Sequence, residues 1–338
     1  MKINNLTIRP IQHSGNSGNE GGNPDFSHSP QFSFDLIQHA ISYQDVKPLV
    51  DKYLQYVRYR VADGATVSRR VDFGLIDIKS FKKEITPDTN VRRGVRITLG
   101  WNPDENRLQY YFSLLTFDQL PVNNRLSFTP ADNEPDTNKL SYLKHTPVFM
   151  LTPSGVLSRV SPDSADWIRM ESYWSKYKES IQIFNAQTNH YDNYDRLGFT
   201  RSIIIPVEVL YNLINSDPTQ TQLKIVSCLH TNNNPFQHSV VFSNVDLDVP
   251  KLQNTPSVDL MTALQTLSPE TSQEQFDLFS QGNASALSLE ALLYLELALN
   301  PESSNVYGRA ANYAQICPTK CAQLTGIFNA ATRIFRIA

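Results

Sequence analysis

Three side chains in the stretch HYDNYDR could together hold a metal ion. His190, Asp192 and Asp195 lie within a few residues of one another and offer one imidazole nitrogen and two carboxylates. Divalent metals accept these ligand types, so one hypothesis for the protein is a metal-dependent hydrolase-type enzyme. A polar loop between a helix and a strand would carry the same residues without binding a metal, and both interpretations stay open.

Two further residue pairs could also do chemistry. His230 and His238 flank a polar turn near Cys228, and on paired strands their imidazoles could approach each other as alternative residues for the enzyme hypothesis. Cys317 and Cys321, in CPTKC, could face a metal from one turn of a predicted helix. The two further ligands that a zinc site needs are not nearby, so packing as small apolar side chains explains these cysteines better.

Charge is unevenly spread along a chain whose formal net charge is only −3. Residues 51–100 contain eleven Lys or Arg against six Asp or Glu, whereas residues 251–300 contain one Lys against six acids. The two regions could face each other within the fold or between subunits. Alternatively, the first region could bind nucleic acid. The side chains for that alternative are Arg58, Arg60, Arg69, Arg70, Arg92 and Arg93.

The sequence lacks the common signatures of phosphate binding, dinucleotide binding, nucleophilic hydrolysis and zinc proteolysis. We therefore expect no cofactor and assign no catalytic residue. No run of about eighteen apolar residues occurs, so we expect no membrane partner. The N-terminus has no apolar signal-peptide core and the chain has only three cysteines, which together favour the cytoplasm.

The elements that would position these residues fall into four regions. Residues 1–34 contain a stretch rich in Gly, Asn, Ser and Pro, which predicts a flexible arm. Residues 35–140 and 141–250 are each predicted to form an α+β unit, and residues 251–338 are predicted to form a helical region with breaks at Pro301 and Pro318. Apolar spacing predicts one helix from Val46 to Val61. A second helix is predicted to begin after Ser164 and to face inward with Trp167, Met170, Trp174, Tyr177 and Ile181.

A β-hairpin in the first unit alternates apolar and polar residues on both sides of the turn NPDENR. The residues predicted to face inward are Val95, Ile97, Leu99, Trp101, Leu108, Tyr110, Phe112 and Leu114. A strand and a short helix precede this hairpin. The same order of strand, helix and hairpin returns about 129 residues later, which predicts an internal duplication. The aligned pairs include Ile76 with Ile205, Val95 with Leu223, Trp101 with Leu229 and Gln109 with Gln237.

If the two copies shared a role, that role would not be histidine chemistry. His230 and His238 take the places of Asn102 and Tyr110 in the first copy. The pattern of the first copy also resembles a group of uncharacterised bacterial proteins of the Bacteroidota type. The resemblance covers residues 70–118, is carried by Gly94-Val95-Arg96-Ile97 and Tyr110-Tyr111-Phe112, and weakens in the second copy at Gln222-Leu223-Lys224-Ile225. It implies a fold of strand–helix–hairpin repeats and assigns no activity.

The sequence therefore predicts an α+β protein with two related strand–helix–β-hairpin units, packed helices and a helical C-terminal region. The leading functional hypothesis is a non-enzymatic binding or assembly protein. We expect its partner to be a protein, either another copy of itself or a different subunit, and we expect the N-terminal arm to reach that neighbour. Metal-dependent hydrolysis and nucleic-acid binding are the alternatives.

Overall fold

The computed structural model describes most residues between Ala40 and Leu299 and four short strands beyond them. The predicted arm, residues 1–34, lies outside the described residues. The described ranges are 40–41, 43–60, 66–68, 71–86, 93–120, 125–128, 140, 143–144, 146–193, 202–215, 217–230, 236–243, 249–299, 310–311, 315–317, 326–329 and 334–337.

The described residues form α-helices and antiparallel sheets, so the α+β prediction is confirmed. The helices are α1 (Tyr43–Tyr56), α2 (Ile78–Glu84), α3 (Ala165–Ser180), α4 (Val207–Asn215), α5 (Val249–Gln253), α6 (Ser257–Leu267), α7 (Gln273–Ser280) and α8 (Leu289–Leu299). The strands up to the second hairpin are β1 (Ala40–Ile41), β2 (Val57–Arg60), β3 (Thr66–Ser68), β4 (Phe73–Asp77), β5 (Arg93–Asn102), β6 (Arg107–Leu120), β7 (Arg125–Phe128), β8 (Val148–Leu151), β9 (Leu157–Val160), β10 (Ile181–Asn185), β11 (His190–Asn193) and β12 (Ser202–Pro206). They are followed by β13 (Gln222–His230), β14 (Gln237–Ser243), β15 (Ala310–Ala311), β16 (Gln315–Cys317), β17 (Gly326–Asn329) and β18 (Ile334–Ile337).

Two sheets form the centre of the molecule. One sheet has the order β16-β12-β5-β6-β7-β17-β18, and β8 and β9 extend it from β6. The other has the order β1-β15-β14-β13-β4. A smaller third sheet, β11-β10-β2-β3, joins a strand after α1 to strands after α3. Strand pairing therefore crosses repeatedly between residues 35–140 and 141–250.

Each predicted unit gives the strand that precedes its own hairpin to the hairpin of the other unit. Strand β4 pairs with β13, where Ile76 lies opposite Leu223. Strand β12 pairs with β5, where Ile205 lies opposite Val95. These are the positions that the sequence aligns, so the two crossed pairs have equivalent registers. A pseudo-twofold arrangement of the two units requires this equivalence, while their origin by duplication stays a prediction.

The two hairpins differ in the register of their return strands. Trp101 pairs with Leu108 in the first hairpin, whereas Leu229 pairs with His238 rather than Phe236 in the second. The return strand is thus displaced by two residues from the alignment that the sequence suggests. Because side chains alternate with a period of two, the displacement keeps the same face of the strand inward.

The main core lies between the two central sheets, and the inward face predicted for the first hairpin is confirmed. Its buried members are Val95, Ile97, Leu99, Trp101, Leu108, Tyr110 and Phe112, with Leu114 partly buried against them. A second core lies between the outer face of β13–β14 and the helices α1 and α5 to α8. This second core joins the C-terminal helices to the sheet.

Helix α3 covers the outer face of the first hairpin, as part of a third core. The Ser164 hydroxyl caps the helix by accepting a hydrogen bond from the backbone N–H of Trp167 at 3.2 Å, as predicted. Gly100 lets this helix approach closely, since a β-carbon there would come within 2.9 Å of the Cβ of Tyr173. The inward side chains predicted for the helix are buried, and Ile181 begins strand β10.

Helix α1 ends earlier than its apolar spacing predicts. The prediction extends the helix to Val61, but α1 ends at Tyr56 and Val57 begins strand β2. In β2 the side chains of Val57 and Tyr59 are buried and Arg60 is exposed, which is an alternating pattern. Pairing with β10 and β3 therefore prevails over helical spacing in this short segment.

The helical prediction for residues 251–338 is confirmed for residues 251–299 and wrong for the described residues beyond them. The described residues after Leu299 form four strands, not helices. Strand β16 pairs with β12 and β17 pairs with β7. The segments GIFN and IFRI contain isoleucine and phenylalanine, which favour strands, and exposed sheet edges offer them hydrogen-bonding partners.

Candidate functional site

A connected set of buried polar side chains lies at the meeting point of six elements. We call it the tyrosine–histidine cluster, and it is centred on His238. The Nε2 atom of His238 lies 3.1 Å from the Ser227 hydroxyl, and its Nδ1 atom lies 2.9 Å from the Tyr177 hydroxyl. The Tyr110 hydroxyl lies 3.1 Å from the same Ser227 oxygen. These contacts link α3 and both hairpins across the main core.

The other half of the tyrosine–histidine cluster is centred on the carboxylate of Asp72. The Tyr53 hydroxyl donates to Asp72 Oδ2 at 2.8 Å, and the Leu108 backbone N–H donates to Oδ1 at 3.3 Å. The hydroxyls of Tyr53 and Tyr59 lie 2.6 Å apart. The rings of Tyr53 and His238, 5.0 Å between centroids, join the two halves.

Burial controls the protonation of this cluster. Loss of solvation lowers the pKa of His238 to about 3, so the imidazole is neutral at physiological pH. Burial first, and then the charge of Asp72, raise the pKa of Tyr53 and Tyr59 well above the usual value. Ser227 and His238 are both 0% exposed, so a substrate has no access to this serine–histidine pair. The side chains of the cluster therefore supply hydrogen-bond partners to one another inside the core and hold the surrounding helices and strands in place.

A large accessible cleft lies between α1 and the C-terminal helices, with a volume of about 1230 Å³. We call it the α1–α8 cleft. Its buried apolar lining residues are Leu54, Val71, Leu267, Leu287 and Ala291. Its charged lining is Asp51, Arg58, Glu270 and Glu290. The cleft therefore combines an apolar floor with a charged rim.

A hydrogen bond between α1 and α8 joins two of the elements that line the cleft. The Tyr294 hydroxyl of α8 donates to Asp51 Oδ1 of α1 at 3.1 Å, and Lys47 forms a salt bridge with the other Asp51 oxygen. Burial and the neighbouring Asp51 carboxylate raise the pKa of Tyr294, so this hydroxyl stays protonated as a donor. Residues 51–100 and 251–300 thus meet within the fold at this cleft, which is one of the two arrangements that their opposite charges suggest.

Two of the three predicted metal ligands, His190 and Asp192, lie on strand β11 in the described part of the chain. His190 is exposed on β11, whereas Asp192 is buried and accepts a hydrogen bond from the Asn185 side chain at 2.6 Å. Asp195 lies outside the described residues. Among the residues that the structure does describe, no three His, Cys, Asp or Glu side chains form a group that could hold a metal ion.

The second histidine pair and the cysteine pair are each only partly described. His238 belongs to the tyrosine–histidine cluster, and His230 pairs with Gln237 by backbone contact, with its side chain not described. Cys317 ends strand β16 rather than lying on the predicted helix. Cys321 lies outside the described residues.

Of the six arginines proposed for nucleic-acid binding, only two have described side chains. Arg58 and Arg60 share the outer face of β2, and the Arg58 guanidinium lies 4.0 Å from the centre of the Tyr191 ring. Arg93 begins strand β5, but its side chain is not described. Arg69, Arg70 and Arg92 lie outside the described residues. The ring of Tyr59, which lies between Arg58 and Arg60 in the sequence, already stacks on Trp101 with ring centres 4.4 Å apart.

Sequence reasoning did not identify the tyrosine–histidine cluster or the cleft. A signal for the cluster was present, because Ser227 and His238 interrupt the inward-facing apolar series of β13 and β14. The sequence signal for the cleft is weaker and consists of the excess of acidic over basic residues in residues 251–300. Its location depends on α1 packing against α8, which is a contact between distant parts of the sequence.

Comparison with protein-family models, with curated proteins and with solved structures yields no match to this chain. The resemblance of residues 70–118 to bacterial strand–helix–hairpin proteins therefore stays a prediction. In the part of the chain that the structure describes, no helix is both long enough and apolar enough to cross a membrane.

Proposed function

We propose that this chain is a non-enzymatic binding protein of an assembly and that the α1–α8 cleft takes up a polypeptide segment of its partner. The size of the cleft carries the proposal. Its volume of about 1230 Å³ exceeds the roughly 300–1,000 Å³ that is usual for small-molecule sites. A segment of another protein is the kind of ligand that suits a cleft of this size.

The lining of the cleft also supports a polypeptide partner. Protein interfaces combine a buried apolar centre with a polar rim, and the cleft has both. Leu54 and Ala291 lie on two helices that both line the cleft, and apolar grooves between packed elements are a common site for an amphipathic helix. The Tyr294–Asp51 hydrogen bond fixes the separation of these helices, so the groove is preformed.

Filling the cleft should remove binding of a polypeptide partner. Thr266 lies at the end of α6, lines the cleft and is exposed, so the Thr266→Trp variant places an indole in it. Peptides selected from a displayed random library against the full chain should bind this variant at least about tenfold more weakly, because tryptophan occupies their space. Fluorescence anisotropy with the selected peptides measures the change.

Thr262→Trp is the matched control, since Thr262 is exposed one turn earlier on the same helix and does not line the cleft. Its affinity for the selected peptides should equal that of the original chain. The proposal is wrong if the library yields no binding peptide, or if both tryptophan variants bind the selected peptides equally well.

Self-association through residues 1–30 is a separate part of the proposal. Size-exclusion chromatography with light scattering should give a mass above that of one chain, 38.3 kDa, and deletion of residues 1–30 should reduce it. Deleting an arm that contacts a neighbouring subunit removes its share of the interface, which is the physical reason for the reduction. A strict monomer that the deletion leaves unchanged would contradict self-association and leave the cleft proposal standing.

A further inference from the structure

The outer face of the small third sheet collects aromatic and polar side chains from neighbouring strands. Strand β2 buries Val57 and Tyr59, so Arg58 and Arg60 lie on the opposite, outer face. The strand register places Arg58 beside Gln182 of β10, which continues this face across the sheet. We call it the aromatic–arginine face, and its described members are Tyr56 at the end of α1, Arg58, Arg60, Gln182, Phe184, Tyr191 and Asn193.

Ring contacts join the aromatic members of this face into one group. Phe184 and Tyr191 lie opposite each other on β10 and β11, and their ring centres are 5.4 Å apart. Tyr56 stacks on Phe184 with ring centres 5.4 Å apart, and Phe236 meets the Tyr56 ring edge-on at 5.2 Å. All four side chains are half-buried, so the rings fix one another and still present aromatic surface to the solvent.

The guanidinium of Arg58 extends the aromatic group. Its central carbon lies 4.0 Å from the centre of the Tyr191 ring, which is a cation–π contact. The Tyr191 hydroxyl donates a hydrogen bond to the Gln55 carbonyl at 3.3 Å, so the ring is held from a second side. Unpaired nucleic-acid bases stack on aromatic rings and on guanidinium planes. Because these side chains are already ordered, they lose little conformational entropy when a base binds.

The charged members of the face are both cations. The neighbouring carboxylate of Asp192 is buried on the inner side of the sheet, where it accepts a hydrogen bond from Asn185. Helices α1 and α3 end beside the face with partial negative charge, but Arg58 follows the end of α1 and Lys178 lies in the last turn of α3. Arg58 also lines the α1–α8 cleft beside its carboxylates. We therefore assign the attraction of a phosphate group to the exposed Arg60.

We propose that the aromatic–arginine face binds single-stranded nucleic acid, mainly through stacking of unpaired bases and secondarily through Arg60. This function goes beyond the uptake of a polypeptide segment by the cleft and does not depend on it. Sheet faces with aromatic side chains on neighbouring strands are a recurrent surface for single strands, whereas the bases of a duplex are already stacked on one another. The site also differs from the six-arginine hypothesis, because only Arg58 and Arg60 belong to it.

The test measures fluorescence anisotropy of fluorescein-labelled oligonucleotides with the full chain. A thymidine single strand of about twelve nucleotides should bind at least about tenfold more tightly than a duplex of the same length. Phe184→Leu together with Tyr191→Leu should weaken the single strand at least about tenfold, since leucine keeps the apolar packing and removes the stacking rings. Arg60→Gln should reduce the slope of log affinity against log salt by about 0.7, the value for one phosphate contact on a single strand.

Three variants serve as matched controls. Tyr211→Leu removes a half-buried tyrosine of α4 whose hydroxyl also donates to a backbone carbonyl, that of Ile85 at 2.8 Å, and should leave the affinity unchanged. Lys79→Gln removes an exposed cation of α2 and should leave the salt slope unchanged. Phe184→Tyr with Tyr191→Phe keeps both rings and should retain the affinity within about threefold. Circular dichroism and thermal unfolding show which variants are folded.

Four results would overturn the proposal. They are the absence of single-strand binding at low salt, equal affinity for single strand and duplex, equal affinity of the double leucine variant and Tyr211→Leu, and displacement of the oligonucleotide by an equal concentration of polyglutamate. The last result would indicate a surface for acidic proteins. If the double leucine variant does not fold, Arg60→Gln decides against Lys79→Gln, and equal salt slopes for these two overturn the proposal.

The aromatic–arginine face and the α1–α8 cleft can be tested separately. Thr266→Trp fills the cleft and should leave oligonucleotide binding unchanged, because Thr266 does not belong to the face. Loss of oligonucleotide binding in this variant would place the nucleic acid in the cleft and contradict the proposed site.

Discussion

Replacing Lys224 with Met should lower the free energy of unfolding by about 3–5 kcal/mol. The Lys224 ammonium lies 3.0 Å from a carboxylate oxygen of Glu296, with side chains that are 6% and 0% exposed. The substitution leaves the Glu296 carboxylate buried without its main counter-charge, and burying an uncompensated charge is costly. Denaturation by urea, followed by circular dichroism, measures the change.

Replacing both partners tests whether the loss comes from the uncompensated charge. The double variant with Lys224→Met and Glu296→Leu should recover most of the stability, because no charge is then left in the apolar interior. Lys176→Met is the control, since its ion pair with Glu179 is about half exposed and should contribute less than about 1 kcal/mol. A loss below 1 kcal/mol in the Lys224 variant would show that the buried pair is not a main tie between α8 and the sheet.

The free energy of unfolding should decrease as the pH falls, over a pH range that is set by the pKa of His238. The pKa of this imidazole is about 3 in the folded state against about 6.5 in the unfolded state, since burial disfavours the charged form. Below pH 6.5 the unfolded chain binds a proton that the folded chain does not bind, so stability is present above that pH and lost as pH falls towards 3. The loss should reach about 2 kcal/mol by pH 5, relative to pH 8.

Unfolding titrations with urea at a series of pH values measure this dependence. His238→Gln should flatten it between pH 8 and 5, because glutamine can replace a hydrogen bond and does not titrate. His190→Gln is the matched control, a histidine replaced at an exposed position. If the His238 and His190 variants show equal slopes, a different group controls the acid stability.

The local structure of this protein was largely predictable from the sequence. Alternation along the first hairpin correctly predicts which side chains face the core, because one face of a strand must be buried. Ser164 correctly predicts the start of α3, because its hydroxyl satisfies an N–H that the helix leaves open. Helical spacing correctly predicts that α1 exists and wrongly extends it, because Val57 and Tyr59 fit a strand as well as a helix.

The long-range arrangement was not predictable in the same way. The pairing of Ile76 with Leu223 joins residues that nothing in the local sequence relates. The cleft depends on such contacts as well, because its walls come from α1 and α8. The strands after Leu299 follow from available sheet edges, and those edges exist only once the rest of the chain has folded.

The crossed pairing of the two units has a consequence for the order in which the protein can fold. On a ribosome, β4 and β5 emerge long before β13 and β12, which are their partners on one side. Neither of the two central sheets can be completed until the second half of the chain has been synthesised. The two halves should therefore fold together in one cooperative and comparatively slow step, and a chain cut between β11 and β12 should give two fragments that gain structure only when mixed.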